Sequence, residues 1–387
     1  MMTTRYWLAG AIAAAALALP ACGGDDDAAK PARADTQAVA TTYADLVVAA
    51  YDASIASTKK MQTAIDAFVA KPSTASLAAA RKAWLTARDD YIPTEPFRFY
   101  GGPIDDPDDG PEGKLNAWPM DEAYIDSVDG NLKAGIINDR KGHPRITAEA
   151  IVKANEQGGE TNISSGWHAI EFLLWGQDTS PDGPCNRPAS DYVTAPNAKR
   201  RGSYLRVTTQ QLVDDLTSVR EHWSPQGGEF RTSFLADSDR ALRRILRGIG
   251  ALNTGELAGE RMAVAVESGE QEDEHSCFSD NTNADIVNDI KGIRMVYLAQ
   301  FPGVSGASLD SLLRKTDPDL AQRLRSQIDA TLAKAQAFPA TFETMIAADE
   351  GSAELKALED VISDLEEQGD TLADAAEALD VKVGFEV

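Results

Sequence analysis

The chain has 387 residues, with 37 Lys and Arg against 61 Asp and Glu, and a formal net charge of −24 when histidine is neutral. That balance excludes a nucleic-acid partner, because a phosphate-binding surface needs clustered Lys and Arg whereas an acidic chain repels polyanions. The 43% hydrophobic fraction excludes pervasive disorder, and no internal run approaches the roughly 20 apolar residues of a membrane-spanning helix.

At the N-terminus, Arg5 precedes an alanine-rich apolar stretch from Tyr6 to Leu19, the layout of a secretory signal peptide. It ends in Leu19-Pro20-Ala21-Cys22, which resembles the lipobox of bacterial lipoproteins. Residues 1–21 are therefore expected to be removed. Cys22 is expected to carry the lipid, anchoring an exported protein that faces the periplasm or the cell surface. Residues 22–36 are Gly, Asp, Ala and Pro without apolar periodicity and read as a flexible tether. Cys185 and Cys277 then remain as an even pair in an oxidising compartment, and a disulfide or two free thiols are equally open.

Past the tether the pattern is helical. From Gln37 to Val69 apolar residues recur at helical spacing, and the period resumes from Ser73 to Tyr91 until Pro93 stops it. Residues 93–117 are too rich in Gly, Pro and Asp for an element and read as a long loop. Its run Asp105-Asp106-Pro107-Asp108-Asp109-Gly110 fails the EF-hand pattern and reads as a solvated acidic turn. Short helices are predicted at 119–127, 129–138 and 147–157, then a helix from Ile163 to Trp175 and a Pro-rich loop at 178–196. Longer helices follow at 197–223, 232–252, 255–272, 284–299, 317–348 and 351–378, with a hint of extended chain only from Val381 to Val387. The fold class is all-α: two helical-bundle halves packed together, 37–200 and 201–387.

The chemistry concentrates in Gly166-Trp167-His168-Ala169-Ile170-Glu171, followed by Phe-Leu-Leu-Trp-Gly. On a helix His168 and Glu171 share a face, and imidazole with carboxylate suits iron, zinc or manganese. The helix is apolar nearly all round, hence buried, and a buried glutamate is costly unless paired or coordinated. The bland alternative is that the two side chains bond each other within a packed core. Glu95 is a candidate third ligand, with a surface carboxylate as its equal rival. Arg88 is placed to orient a buried carboxylate such as Glu95. Glu267, Glu270 and Glu274 are spaced to line one helix face, with His275 and Asp280 just beyond; a solvated acidic helix end is the plainer reading of that stretch. Asp121 and Glu122 suit the start of a helix, His143 a loop, and His222 a helix end.

The G-x-H-x-x-E run resembles the signature of the imelysin family. The run from Glu272 through His275-Ser276-Cys277-Phe278-Ser279-Asp280 to Thr282 is similar to that family's second block, and Thr94 to Phe99 and Trp118 to Glu122 also fit. The resemblance covers nearly all of the chain past the tether. It implies an all-helical fold of two bundle-like halves, export, and a site near the His-x-x-Glu helix between the halves. It also strengthens His168 and Glu171 as site residues, with Glu274, His275, Asp280, Arg88 and Asp121 behind them. The family's founding activity is peptidase, while other members are tied to iron uptake.

The residues favour metal binding. A zincin needs H-E-x-x-H and an inverzincin H-x-x-E-H, and Phe172 stands where the second histidine of the latter belongs. The expectation is thus a lipid-anchored protein serving iron acquisition, in which His168, Glu171 and nearby carboxylates such as Glu95 hold iron, or zinc, and a membrane or periplasmic uptake component is the partner. The alternatives are a zinc metallopeptidase in which Glu171 activates water, and a surface binding module without metal.

Overall fold

The structure, a computed structural model, describes residues 31–179 and 183–386. The signal-peptide stretch, Cys22 and most of the expected tether lie outside them. The last tether residues do not behave as one, since helix α1 spans Arg33–Ala70 and begins before Gln37. Thr36 is buried there and its hydroxyl meets that of Ser238 at 3.0 Å.

Helix α2 (Thr74–Tyr91) starts at a reciprocal cap between Ser73 and Ser76 and packs antiparallel to α1. The expected loop after it holds a 3-10 helix, Ile92–Phe97, and the short helix α3 (Glu112–Leu115). In the acidic turn between them, Asp105 accepts from the backbone nitrogens of Tyr100, Gly101 and Gly102. The next three helices are each shorter than the pattern suggested: α4 (Glu122–Ile125), α5 (Gly135–Asn138) and α6 (Ala148–Ala154).

Helix α7 (Gly166–Trp175) is the centre of the molecule, and all ten of its residues are buried. Its start requires glycine. Gly166 has φ +89, and a Cβ there would stand 2.4 Å from the carbonyl oxygen of Leu115. Trp84 from α2 and Tyr192 donate to carbonyls of α7, at Trp167 and Leu173, so neighbouring chain holds the helix in place.

Helix α8 (Ala198–His222) packs on α1 and α7. The single helix expected at 232–252 is two, α9 (Glu229–Ala236) and α10 (Ser238–Ala251), because Asp237 caps a new start. From α10 the chain runs into a π-helix, Leu252–Ala263, and then α11 (Val264–Ser268). Gly269, at φ +65, ends α11. Glu267, Glu270 and Glu274 therefore do not share a helix face, contrary to their spacing. A 3-10 turn, Gln271–Asp273, leads to α12 (Thr282–Leu298). Helix α13 (Leu309–Thr316) was not anticipated. The expected 317–348 helix divides into α14 (Pro318–Ala335) and α15 (Phe342–Ile346), before α16 (Ala353–Ala378).

The fold is all-α, and the described residues form no strand, including 381–386. None of their helices is long and apolar enough to cross a membrane. The main hydrophobic core draws on residues from Val39 to Val381, on both sides of position 200. A smaller cluster joins the π-helix, α12, α15 and α16 through Leu257, Met262, Ile290, Met345 and Leu365.

Candidate metal centre

His168 and Glu171 lie one turn apart on α7, and their side chains meet, with Nδ1 3.0 Å from Oε2. The other carboxylate oxygen of Glu171 accepts from the backbone nitrogen of Ser279 at 2.9 Å and lies 2.6 Å from its hydroxyl. A second pair stands opposite. His275, from the segment after α11, has Nδ1 3.0 Å from Oδ2 of Asp285 on α12, and the two imidazole rings meet edge to face at 4.9 Å between centroids. Ser276 Oγ and Asn281 Nδ2 also donate to Asp285, at 2.7 and 3.1 Å.

Arg88 from α2 holds the two pairs together. Its guanidinium grips Asp285 through Nε and Nη2, at 3.2 and 3.0 Å from Oδ2, and Nη1 donates to Asn116. Nη2 also lies 3.4 Å from His168 Nε2. An arginine has only donors, so His168 Nε2 is an acceptor and Nδ1 carries the hydrogen that points at Glu171. For His275 the carboxylate decides: Nδ1 lies 3.5 Å from Arg88 Nη2 but 3.0 Å from Oδ2 of Asp285, and an ionised carboxylate only accepts, so the hydrogen of His275 is also on Nδ1, facing Asp285. Each imidazole is thereby oriented by a carboxylate, with the lone pair on Nε2, the arrangement found behind histidines that ligate metals.

Burial sets the protonation. It is the largest influence on both histidines, pushing His168 well below its ordinary range and His275 down to about 4, with Arg88 and Arg261 adding to it, so both rings are neutral. Burial also pushes Glu171 up to about 8, against the opposing bonds from Ser279. Asp285 resists burial because Arg88 and His275 hold it far below the usual carboxylate range. Arg88 and Asp285 thus cancel, and ionised Glu171 would leave the centre one negative charge in excess.

The other expected residues are distributed differently. Arg88 orients Asp285, not Glu95. Glu95 is buried in a neighbouring network, where Oε2 meets Arg261 at 2.7 Å and Arg98 at 2.5 Å while Oε1 faces Asn116 at 3.4 Å. It does not converge with His168 and Glu171, because two guanidiniums occupy it. Glu274 and Asp280 gather with Glu343, one carboxylate oxygen from each lying within 4.8 Å of the others. Asp121 caps α4, accepting from Ala123. It lines a cleft of about 570 Å³ with Trp118, Glu122, Asp178, Glu272 and Cys277. Trp118 is the layer between cleft and centre, its ring 5.6 Å from that of His275. Cys185 and Cys277 are both buried and unbridged in this structure, with Cys185 Sγ donating to Asp178 at 3.0 Å. His143 sits in a loop and His222 ends α8. Asp285 and Asn116 carry no local motif, and only the fold brings them to the centre, whereas Ser279 lies in the second family block although its bond to Glu171 is not legible there.

The two blocks that meet here fall within one family match. The imelysin family model covers residues 47–372. The chain belongs to the imelysin family. Iron-regulated protein A of Synechococcus elongatus is 26% identical to this imelysin over 307 residues, 79% of this chain and 76% of that protein. The crystal structure of a Parabacteroides distasonis protein, described as an iron-regulated protein A precursor, superposes with a TM-score of 0.70 at 19% identity, covering 90% of this chain and 96% of that one. That likeness establishes the imelysin fold.

Proposed function

We propose that this imelysin is an exported, membrane-anchored iron-binding protein, and that His168 and His275 are its principal iron donors. The observation that carries the reading is the pair of carboxylate-backed imidazoles facing each other at 4.9 Å, with neither Nε2 bonded to its carboxylate; an ion at His168 takes the place of the 3.4 Å contact from Arg88 Nη2. Two neutral imidazoles with carboxylates behind them are a donor set suited to ferrous iron and to zinc. Glu171 and Asp285 orient the rings. Glu171 holds its proton in the metal-free centre up to about pH 8, and a cation beside Arg88 would release that proton, since ionised Glu171 supplies the one negative charge that offsets it. The acidic cleft beyond Trp118 concentrates cations at its mouth, as a strongly negative surface does.

Iron is favoured over zinc because the similar Synechococcus and Parabacteroides proteins carry iron regulation in their names. The word precursor in the latter supports export, in line with the signal-peptide layout of residues 1–21 and the lipobox at Cys22. A periplasmic or membrane uptake component is the partner such a carrier needs. Proteolysis is disfavoured by burial: His168, Glu171 and His275 are 1%, 0% and 2% exposed. A peptide bond has no approach to them, and both oxygens of Glu171 are engaged.

Calorimetric titration of the metal-free full chain with ferrous, ferric and zinc ions, alongside a peptide-cleavage assay, tests the proposal. One equivalent of iron should bind without cleavage. His168→Ala and His275→Ala should each weaken binding by at least about tenfold, and Glu171→Gln by roughly 10 to 100 times. Unchanged iron binding in the double histidine variant would refute it, and zinc-dependent cleavage lost in His168→Ala would establish the peptidase instead.

A further inference from the structure

The segment 269–281 does more than deliver His275 and Ser279. We propose that Glu274, Asp280 and Glu343 form a second cation site, for a hard divalent ion of the calcium class, which ties this segment to α15. One carboxylate oxygen from each of the three lies within 4.8 Å of the others. Oxygens around one calcium ion sit at about 2.3–2.6 Å from it, so donors on opposite sides are separated by about that span.

Acidic residues gather on many surfaces without an ion, but Glu274 is not on the surface. It is 1% exposed, and neither of its carboxylate oxygens has a hydrogen bond, although the Thr282 hydroxyl nearby eases its ionisation. The charged groups that bear on it most are Asp280, Glu343 and Asp178, all acidic. A buried carboxylate without hydrogen bonds and facing other carboxylates is strongly disfavoured, and a cation among them supplies the missing partner. Glu343 is also buried, at 4% exposure, and accepts from the backbone nitrogen of Gly183 at 3.2 Å through Oε2.

The donor set selects the ion. It is all oxygen, without imidazole or thiolate, which suits calcium over iron or zinc, and three carboxylates can supply up to six oxygens where magnesium would keep its waters. Occupancy has a structural consequence. Glu274 precedes His275 and Asp280 follows Ser279, the residues that face His168 and Glu171. Glu343 stands on α15, whose Phe342, Met345 and Ile346 are built into the smaller hydrophobic cluster. The ion would fasten the segment that completes the histidine centre to that cluster. The two sites share no donor, so this inference survives or fails independently of iron.

Calcium titration of the EDTA-stripped full chain, by calorimetry and by thermal unfolding at fixed ionic strength, is the test. One saturable equivalent and a rise in Tm are expected. Glu343→Gln should weaken binding by about tenfold or more and Glu274→Gln should abolish it, while His168→Ala keeps it. The wild-type titration decides even if a variant misfolds: no heat and no Tm shift at millimolar calcium would overturn the site. Calcium bound equally well by the Glu274→Gln, Glu343→Gln double variant would overturn the residues. Zinc displacing calcium from a chain lacking both His168 and His275 would overturn the class of ion.

Discussion

Glu171 is the residue whose environment makes the sharpest prediction. Folded, it keeps its proton up to about pH 8; unfolded, it releases it near 4.5. The protonated acid fits the site, since a hydrogen on Oε1 can be donated to the Ser279 hydroxyl while Oε2 still accepts from His168. Because the folded value is raised, the contribution of Glu171 to stability is complete below about pH 4.5 and is lost as the pH climbs towards 8. Glutamine mimics the protonated form at every pH. The metal-free wild type should therefore lose stability relative to Glu171→Gln between about pH 5 and 8, read as a widening gap in Tm; parallel profiles would contradict the raised value. Asp285 predicts the opposite kind of failure. Asp285→Ala strands the Arg88 guanidinium, which is fully buried, and removing one partner of such a pair costs about 3–5 kcal/mol. Urea unfolding should show that loss. At this scale the sequence shows His168 and Glu171 plainly, because one helical turn brings them together. It hides Asp285 and assigns the wrong carboxylate to Arg88, because which acid a buried arginine meets is decided by tertiary packing.

Among the elements, long helices are legible and short ones are not. Helices α1, α2, α8, α12 and α16 follow from apolar periodicity because each presents a full stripe to the core. Helices α3 to α6 have a turn or two each, where no stripe can develop, and their ends are set by capping side chains and by the chain around them. The divisions at Asp237 and Gly269 are visible only once capping is weighed against period. The entry to α7 is the element on which the centre depends, and it can be tested by adding a methyl group. Gly166→Ala places a Cβ 2.4 Å from a backbone oxygen at φ +89, so α7 must shift. Gly303 is a control for backbone strain alone, since it has φ +84 and open space around it. Gly303→Ala should lower stability by about 1 kcal/mol, and Gly166→Ala by several and with faster hydrogen exchange in α7. Equal effects at both sites would show that the close approach to Leu115 is unimportant.

For the whole molecule, the acidic composition and the all-α class were readable, whereas the division near residue 200 is an expectation that unfolding can test. Several observations bear on it. The main core runs from Val39 to Val381. Helix α8 packs on α1, with Arg206 on Asp66 and Arg220 on Asp52 at its outer edge. The buried pairs Arg88–Asp285 and Arg261–Glu95 both join a residue before the division to one after it. The exposed pairs contribute little, but a buried ion pair broken by separating its halves leaves two unpaired charges in an apolar surface. A chain cut at position 200 would expose that surface on both pieces. Calorimetry should therefore show one transition whose van't Hoff enthalpy matches the measured enthalpy, and residues 37–200 expressed alone should lack the fixed aromatic packing seen in near-ultraviolet circular dichroism. Two resolved transitions, or a fragment with native aromatic signals, would restore the two-half description. They would also imply that the histidine centre forms by docking of independently folded parts, because His168 and His275 come from opposite sides of the cut.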